Sequence, residues 1–553
     1  MKKILLLLVV STISGAIFAQ HGKPAPQFKT GKPSEKPSLN WPGKSAVPAA
    51  ENPFNLPTEK RRPIGQFTGK APVVNLTITH GENGLPILIE GQTPASVSNA
   101  EQQTAAMIAV AYLASLEPQG LQTPADEFVV RNVQVDEQGN HHVRMDQYFQ
   151  GIPVWGGELI AHSRNGAFDR VNGRYFPTPK LASTTPALDG AQAQAAVIAA
   201  LGQQTVKTTW TDDDLRLIDG PPFSAELVIY HVNDDLNNER LVWHVVAHPS
   251  ILSRLVYFID AQTGAILNHY DNTCNLTGHR HASSACTQAH NENTEPPAVD
   301  KVSVDGPVTI QGQDLFNINR SFPNGGWQVG SQVVMEDASK SMFNAGASTM
   351  PNDPVGAIVT LDALNTSPQN NNFDYNFVVS ASTTFTNKKA AISAHYNAGL
   401  SFDYFKSKFN RNSIDGVGGN ILAFVNVADE DGSSMENAFW NGEAMWYGNG
   451  GSTFKPLARG LDVGGHEMTH GVVEKTANLV YQNESGALNE SFADIFGAMI
   501  DSDDWKIGED VMQSGVNPTN CLRDLSNPHN GVSSNSPWWQ PNHTNEQYTG
   551  SAD

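Results

Sequence analysis

Cysteine is scarce in this chain of 553 residues, which contains only Cys274, Cys286 and Cys521. Three thiols are too few for the disulfide framework that stabilises small extracellular domains. Cys274 and Cys286 are close enough in sequence to close a small loop outside the cytosol, and the sequence leaves that pairing open. Stability must therefore come from hydrophobic cores and from any ions that the protein binds.

Positively charged residues are also few. The chain has 35 Lys and Arg against 56 Asp and Glu, which gives a formal net charge of −21. An acidic surface repels a phosphate backbone, so nucleic acid is not expected as a partner. The acidity suits a calcium-binding secreted enzyme, and it is equally well explained by solubility alone.

Long hydrophobic runs are absent except at the N-terminus. Lys2 and Lys3 precede an apolar run from Ile4 to Val10, and Ala19 lies at a plausible cleavage site. This is the pattern of a signal peptide over residues 1–19. The run is too short to cross a bilayer and no later stretch reaches about 18 apolar residues, so we expect no membrane span and a secreted protein.

Proline and the hydrophobic pattern divide the rest of the chain. Residues 20–72 are rich in Pro, Lys and Ser, which predicts a flexible leader. Ala-rich helical patterns and alternating strand patterns then predict globular α+β structure. The predicted segments are a first α+β domain (73–180), a second (185–271), a polar connector with a maturation site (272–305) and a mostly β domain from Gly306 onward.

One stretch near the C-terminal end has the composition of a metal site. His466 and His470 are four residues apart, so in a helix both imidazoles lie on one face and reach one ion. Glu467 lies between them and can take a proton from a metal-bound water. A catalytic zinc needs a third protein ligand, for which Glu490 is the best candidate. The pattern predicts a zinc protease site; the alternative is a chance H-E-x-x-H on an ordinary amphipathic helix.

Four blocks of sequence, in order and with similar spacing, resemble the thermolysin family of secreted zinc endopeptidases: residues 394–405, 437–442, 462–470 and 481–490. The segment from Gln147 to His162 resembles a fungalysin/thermolysin-type propeptide, and residues 185–271 look like a PepSY module. The resemblance implies an α+β multidomain fold, with a two-lobe protease that has zinc between a β-rich lobe (306–460) and a helical lobe (461–553). The N-terminal domains would be a propeptide that assists folding and inhibits the enzyme until cleavage.

The resemblance also implies roles around the metal. Glu467 would activate the attacking water, and Tyr481 would donate a hydrogen bond to the tetrahedral oxyanion. Asn489 and Asp494 would accept hydrogen bonds from the ligand imidazoles and so fix their orientation. The zinc ligands would be His466, His470 and Glu490.

Substrate recognition is implied in the same way. Asn437 and the carbonyl of Ala438 would align the peptide, and Arg523 would hold a substrate carbonyl. Six apolar residues match the pocket for the residue just after the scissile bond: Phe454, Leu457, Val463, Ile507, Val511 and Leu522. We therefore expect cleavage before bulky apolar residues of a protein or peptide; the alternative is that these side chains only pack the core.

Calcium is the second implied cofactor. Asp462, Asp501, Asp504 and Glu509 match carboxylates of a paired-calcium site in the family, and such oxygen donors suit Ca²⁺. Lys506 stands where the family has an acid, and its cation removes a ligand and repels Ca²⁺. We therefore expect at least one calcium, and one rather than two in this region.

The end of the sequence departs from the family. Family members continue into a Gly-Gly-Val-His stretch whose histidine assists catalysis, whereas this sequence ends at Asp553. We therefore expect a piece of a longer product with an incomplete helical lobe, for which His543 is a poor substitute histidine. The rival function is a catalytically incompetent chain whose N-terminal modules act as inhibitor or folding chaperone. A metzincin is excluded because Val473 and Thr476 occupy the positions of its Gly and third His.

Overall fold

The computed structural model describes residues 74–81, 84–92, 96–202, 206–276, 305–543 and 545–546. The predicted signal peptide, the leader, most of the connector and Cys286 lie outside these residues. Within the described part of the chain, every helix is too short or too polar to traverse a bilayer.

The N-terminal half is built on one large sheet with helices on it. Its strands are β1 (Val74–His80), β2 (Pro86–Gln92), β3 (Phe128–Val135), β4 (His141–Phe149), β5 (Ile152–Arg164), β6 (Ala167–Arg174), β7 (Phe223–His231), β8 (Glu239–Ala247), β9 (Leu255–Asp260) and β10 (Ile266–Asp271). Its helices are α1 (Gln102–Ser115), α2 (Pro124–Glu127), α3 (Gly190–Leu201) and α4 (Asp212–Arg216).

The two predicted N-terminal domains share this sheet. The strand order is β1-β2-β6-β5-β7-β8-β9-β10, with β3 joined through β4 to β5. The domains meet where β5 runs parallel to β7 at Val154 and Ile229. Buried and half-buried residues alternate along β4, as expected for a strand with one covered face. A capping box between Asp189 and Gln192 begins α3.

The C-terminal half contains shorter strands and longer helices. Its strands are β11 (Cys274–Asn275), β12 (Gly306–Gln313), β13 (Asn319–Val329), β14 (Gln332–Val334), β15 (Glu336–Asp337), β16 (Ile358–Asp362), β17 (Asn376–Phe377), β18 (Val379–Ser380), β19 (Thr384–Phe385), β20 (Ile421–Val427), β21 (Ala438–Trp440), β22 (Met445–Gly448), β23 (Lys506–Ile507) and β24 (Arg523–Asp524). Its helices are α5 (Lys389–Phe409), α6 (Leu461–Glu474) and α7 (Asn483–Asp501).

Three sheets organise these strands in the described residues. One has the order β11-β21-β22-β20-β16-β15 with β17 beside β16, the second has the order β18-β14-β13-β12-β19, and the third is the pair β23-β24. The β-rich region is followed by α6 and α7, so the predicted two-lobe α+β architecture is confirmed. Helix α5 joins the lobes, because Asn397 donates hydrogen bonds to the carbonyls of Ala458 and Gly460, just before α6 begins.

The predicted connector begins later than expected. Residues 274–275 form β11, which pairs antiparallel with β21 of the protease region, with Cys274 opposite Trp440. Cys274 is buried, and it has no disulfide partner among the described residues. Polar composition suggested a linker here, but edge-strand pairing satisfies the backbone and orders it.

Candidate active site

Helices α6 and α7 carry the predicted metal ligands, and two glycines let these helices approach closely. A Cβ on Gly497 would lie 2.7 Å from the backbone oxygen of Asp462, and one on Gly465 would lie 3.2 Å from the Cα of Gly497. Larger residues would separate the helices. The close approach brings side chains from both helices to one buried point.

Three predicted zinc ligands converge at that point. The Nε2 atoms of His466 and His470 are 2.9 Å apart, and each lies 3.4 Å from a carboxylate oxygen of Glu490. Both imidazoles are fully buried. Burial lowers the pKa of His466 and that of His470, which keeps the rings in the neutral form that binds a metal.

The other imidazole nitrogens have acceptors. His466 Nδ1 lies 2.9 Å from Asp494 Oδ1, and His470 Nδ1 lies 2.8 Å from Asn489 Oδ1. These contacts turn both Nε2 atoms toward Glu490. Burial opposes ionisation of Asp494, but the charge of Arg523 and the hydrogen bond with His466 outweigh it and hold the pKa of Asp494 well below its ordinary value. The ionised carboxylate is the acceptor that a ligand histidine commonly has.

Glu467 is fully buried beside this cluster, and neither of its carboxylate oxygens has a hydrogen-bond partner among the described residues. Burial, and then the charge of Glu490, raises the pKa of Glu467 well above its ordinary value. A buried carboxylate without a partner is costly, so it is expected where it acts on water or substrate. The donor set of two neutral imidazoles and a carboxylate, with this acid beside it, fits a catalytic zinc.

Tyr481 and Arg523 both reach the cluster. The Tyr481 hydroxyl donates a hydrogen bond to Glu490 Oε1, because a buried phenol needs an acceptor. Arg523 binds Asp494 through two nitrogens, Nε at 2.6 Å from Oδ2 and Nη2 at 2.7 Å from Oδ1. Its third nitrogen, Nη1, donates to the carbonyl of Leu276 at 2.9 Å.

Most of the predicted substrate-binding side chains are buried in the protease half. Asn437 precedes β21 and its side-chain oxygen accepts a hydrogen bond from the Ala438 nitrogen at 2.9 Å. The six predicted pocket residues are all buried in one hydrophobic cluster that also contains Leu276: Phe454, Leu457, Val463, Ile507, Val511 and Leu522.

The predicted calcium ligands form two overlapping groups. Asp462, Asp501 and Glu509 make one group, and Asp503, Asp504 and Glu509 make the other, each with ligand atoms within 4.8 Å of one another. Asp503 was not among the predicted calcium ligands, although it lies in sequence between two of them, Asp501 and Asp504.

The carboxylates of the first group are buried or half-buried close to one another. Burial raises the pKa of Asp501 to about 6 and that of Glu509 to about 7, and nearby acids add to both shifts. One oxygen each of Asp462, Asp501 and Glu509 lacks a hydrogen-bond partner among the described residues. In the second group, Lys506 forms an ion pair with Asp504, so a cation already neutralises that carboxylate.

The N-terminal half covers this site. Arg254 forms an ion pair with Glu474 of α6, with 3.1 Å between Nη1 and Oε1. Asn441, just after β21, donates to the carbonyls of Leu217 and Ile251. A cavity of about 220 Å³ between the two halves is bordered by Arg254, His470 and other residues of both. These contacts join residues more than 180 positions apart, so no local sequence pattern predicts them.

Comparison with known proteins agrees with this geometry. The catalytic domain of thermolysin metallopeptidases matches residues 309–474, the alpha-helical domain of the same peptidases matches 477–553, and the fungalysin/thermolysin propeptide motif matches 126–175. The chain is 32% identical to bacillolysin of Bacillus cereus over 458 residues, covering 78% of this chain and 70% of that protein. The chain belongs to the thermolysin family.

Two further relatives belong to the same group. Thermolysin of Alicyclobacillus acidocaldarius is 31% identical over 435 residues, covering 76% of this chain and 68% of that protein. Among solved structures, the precursor of protealysin, a metalloproteinase from Serratia proteamaculans, is 32% identical to this chain. The match covers 35% of this chain and 59% of that one, with a TM-score of 0.28.

Membership of the thermolysin family makes this protein a metalloendopeptidase with a propeptide. The family acts on peptides, is inhibited by its propeptides, uses zinc and usually contains calcium. His543 is exposed, and its imidazole accepts a hydrogen bond from the Asn545 backbone.

Proposed function

We propose that this chain is a secreted zinc endopeptidase that hydrolyses peptide bonds before bulky apolar residues, with Glu467 as the general base. The observation that carries the proposal is the convergence of His466, His470 and Glu490 beside the buried carboxylate of Glu467, which has no hydrogen-bond partner among the described residues. Such an arrangement is costly to fold and is explained by a bound metal with a reacting water.

His466, His470 and Glu490 would hold the zinc, which when bound lowers the pKa of a water and polarises the scissile carbonyl. Glu467 takes a proton from the attacking water and passes it to the leaving nitrogen. Asp494 and Asn489 keep the imidazoles oriented throughout.

Three groups would position the substrate. The Ala438 carbonyl and the Arg523 guanidinium bind its backbone, and the buried apolar set receives the side chain after the scissile bond. A pocket lined by Phe454, Leu457 and Leu522 desolvates an incoming charge without a partner, which excludes acidic and basic residues. A peptide library that shows preference for charged residues at this position would contradict the proposal.

Calcium would be structural. Asp462, Asp501 and Glu509 join the start of α6, the end of α7 and the loop after it, so an ion there would hold both ligand helices together. Secretion is supported by the predicted signal peptide, which lies outside the described residues.

The test is Glu467→Gln in the processed protein. We expect casein hydrolysis to fall by at least about a thousandfold, because the base is lost, while one zinc per chain is retained on elemental analysis. Glu484→Gln changes an exposed glutamate on α7 and should leave both unchanged. Full activity in Glu467→Gln would exclude the mechanism, and zinc without hydrolysis in the unmutated protein would favour the incompetent rival.

A further inference from the structure

Residues 272–276, which follow the N-terminal sheet, lie along β21 as a peptide substrate would. Strand β11 runs antiparallel to β21, with Cys274 opposite Trp440 and Asn275 opposite Phe439. The next nitrogen, that of Leu276, donates to the Ala438 carbonyl at 3.2 Å. The segment therefore continues the sheet at the edge proposed to bind the substrate backbone.

Leu276 has the two features proposed for the residue after a scissile bond, a side chain buried among apolar residues and a carbonyl bound by Arg523. Its side chain is 0% exposed and belongs to the hydrophobic cluster that contains the pocket set. Its carbonyl accepts the hydrogen bond from Arg523 Nη1. Leucine also has the bulky apolar side chain that the pocket should prefer.

The residues before the strand are anchored on both sides. The Tyr481 nitrogen donates to the side-chain oxygen of Asn272 at 3.2 Å. Within the N-terminal half, the Asn272 nitrogen donates to the Arg254 carbonyl, and the Arg254 nitrogen donates to Thr273 Oγ1. Arg254 itself is paired with Glu474 of α6, so the segment is held against the helix that carries Glu467, in the register set by β21.

We propose that the Asn275–Leu276 bond is the first bond that this protease cuts in its own chain. Water adds to the carbonyl carbon of Asn275, and Glu467 takes the proton of the water and passes it to the Leu276 nitrogen. The carbon–nitrogen bond then breaks, which leaves a carboxylate on Asn275 and an amino group on Leu276. The inference rests on the proposed function, and it specifies which bond the site receives first.

The test follows the first product in time. The full chain is purified in the presence of a zinc chelator, ZnCl₂ is added, and the new N-termini are identified by mass spectrometry at successive times. We expect the earliest new N-terminus at Leu276. Glu467→Gln, treated in the same way, should stay uncut.

Variants at the bond separate recognition from folding. Leu276→Phe should still be cut before residue 276, whereas Leu276→Asp should lose this cut because a carboxylate enters an apolar pocket. Ile198→Asp places the same charge on an exposed position of α3 and should be cut as the unmutated chain is. A synthetic peptide of residues 270–281, with a second carrying Asp at position 276, repeats the comparison without any dependence on folding.

Each outcome of these experiments supports or contradicts either the inference or the proposed function. An earliest cut at another bond, unchanged in Leu276→Asp, would overturn the inference, and the proposed function would stand if casein were still hydrolysed. Cutting before Leu276 in Glu467→Gln would also overturn it, since another protease would then be responsible. Failure of the unmutated protein to hydrolyse either casein or the peptide would remove the proposed function itself.

Discussion

At the scale of single residues, Asp494 connects the proposed zinc site to the proposed substrate-binding site. One carboxylate accepts from His466 and pairs with two nitrogens of Arg523, so it orients a proposed zinc ligand and a proposed substrate-binding residue together. Its low pKa keeps it charged at neutral pH. The metal site and the substrate site therefore share one buried anion.

Asp494→Ala should weaken zinc binding by about 10- to 100-fold, because His466 loses the partner that orients its ring. It should also destabilise the fold by about 3–5 kcal/mol, because the Arg523 charge stays buried without its partner. Chelator competition measures the first effect and urea unfolding the second. Asp403→Ala, which removes an exposed carboxylate on α5, should change neither; zinc affinity unchanged in Asp494→Ala would contradict the role.

At the scale of elements, the site depends on how closely α6 and α7 approach. His466 and His470 come from one helix, and Glu490 and Asp494 from the other. Gly465 and Gly497 lie where the helices touch, so the distance between the ligands is set by the absence of two side chains.

Gly497→Ala should destabilise the protein by about 1–3 kcal/mol and weaken zinc binding, because its Cβ would lie 2.7 Å from the Asp462 oxygen. Gly399→Ala is the matched control, a helical glycine of α5 whose Cβ would lie no closer than 3.6 Å to a neighbour, Lys340 Nζ. Helix propensity should make this control slightly more stable, by up to about 1 kcal/mol. Equal melting temperatures for the two variants would refute the packing argument.

The carboxylates after α7 give a prediction about ions. Lys506 pairs with Asp504, so we expect one tight calcium in the unmutated protein, in the group of Asp462, Asp501 and Glu509. Lys506→Glu replaces the cation with a ligand and should allow a second calcium to bind. Isothermal titration counts the ions, and Lys408→Glu on the exposed end of α5 is the control. Two tight ions in the unmutated protein would show that Lys506 does not exclude one.

At the scale of the whole molecule, the two halves associate through apolar and charged contacts. Leu217, Ile218, Ile251 and Leu252 of the N-terminal half are buried in the same cluster as Phe424 and other residues of the β-rich lobe. Burial of this kind is the main favourable contribution to association. The cut propeptide should therefore stay bound until it is degraded or displaced.

Glu443 makes this association depend on pH. Burial raises its pKa to about 8 in the joined molecule, Asp219 and Glu474 add to the shift, and Lys475 and Arg254 oppose it. Separation of the halves exposes the carboxyl and returns its pKa toward 4.5, so association takes up a proton between these values. Raising the pH through this window should weaken binding of the cut propeptide, by up to about tenfold per pH unit.

Gel filtration of the cut protein at pH 6.5 and 8.5 measures that difference. Glu443→Gln is neutral at both values and should remove the part of the pH dependence that belongs to this group. Tighter binding at pH 8.5 in the unmutated protein would give the wrong sign and contradict the assignment.

The sequence by itself determined the family and predicted the chemistry. His466, Glu467 and His470 at helical spacing, with Glu490 following, predict the ligand set and the base, because a short motif on one helix fixes which atoms face together. The resemblance of its motifs to a known family also implied the order of propeptide, β-rich lobe and helical lobe, and the structure has short strands followed by long helices in the protease half.

Only the tertiary structure shows which segment of the chain lies against the candidate site. The pairing of β11 with β21, the burial of Leu276 and the contact of Arg254 with Glu474 join residues that are more than 160 positions apart, and backbone pairing leaves little mark on composition. Polarity therefore predicted a connector where an ordered strand lies. Local spacing specifies a catalytic centre, whereas the peptide held against it is selected by long-range packing.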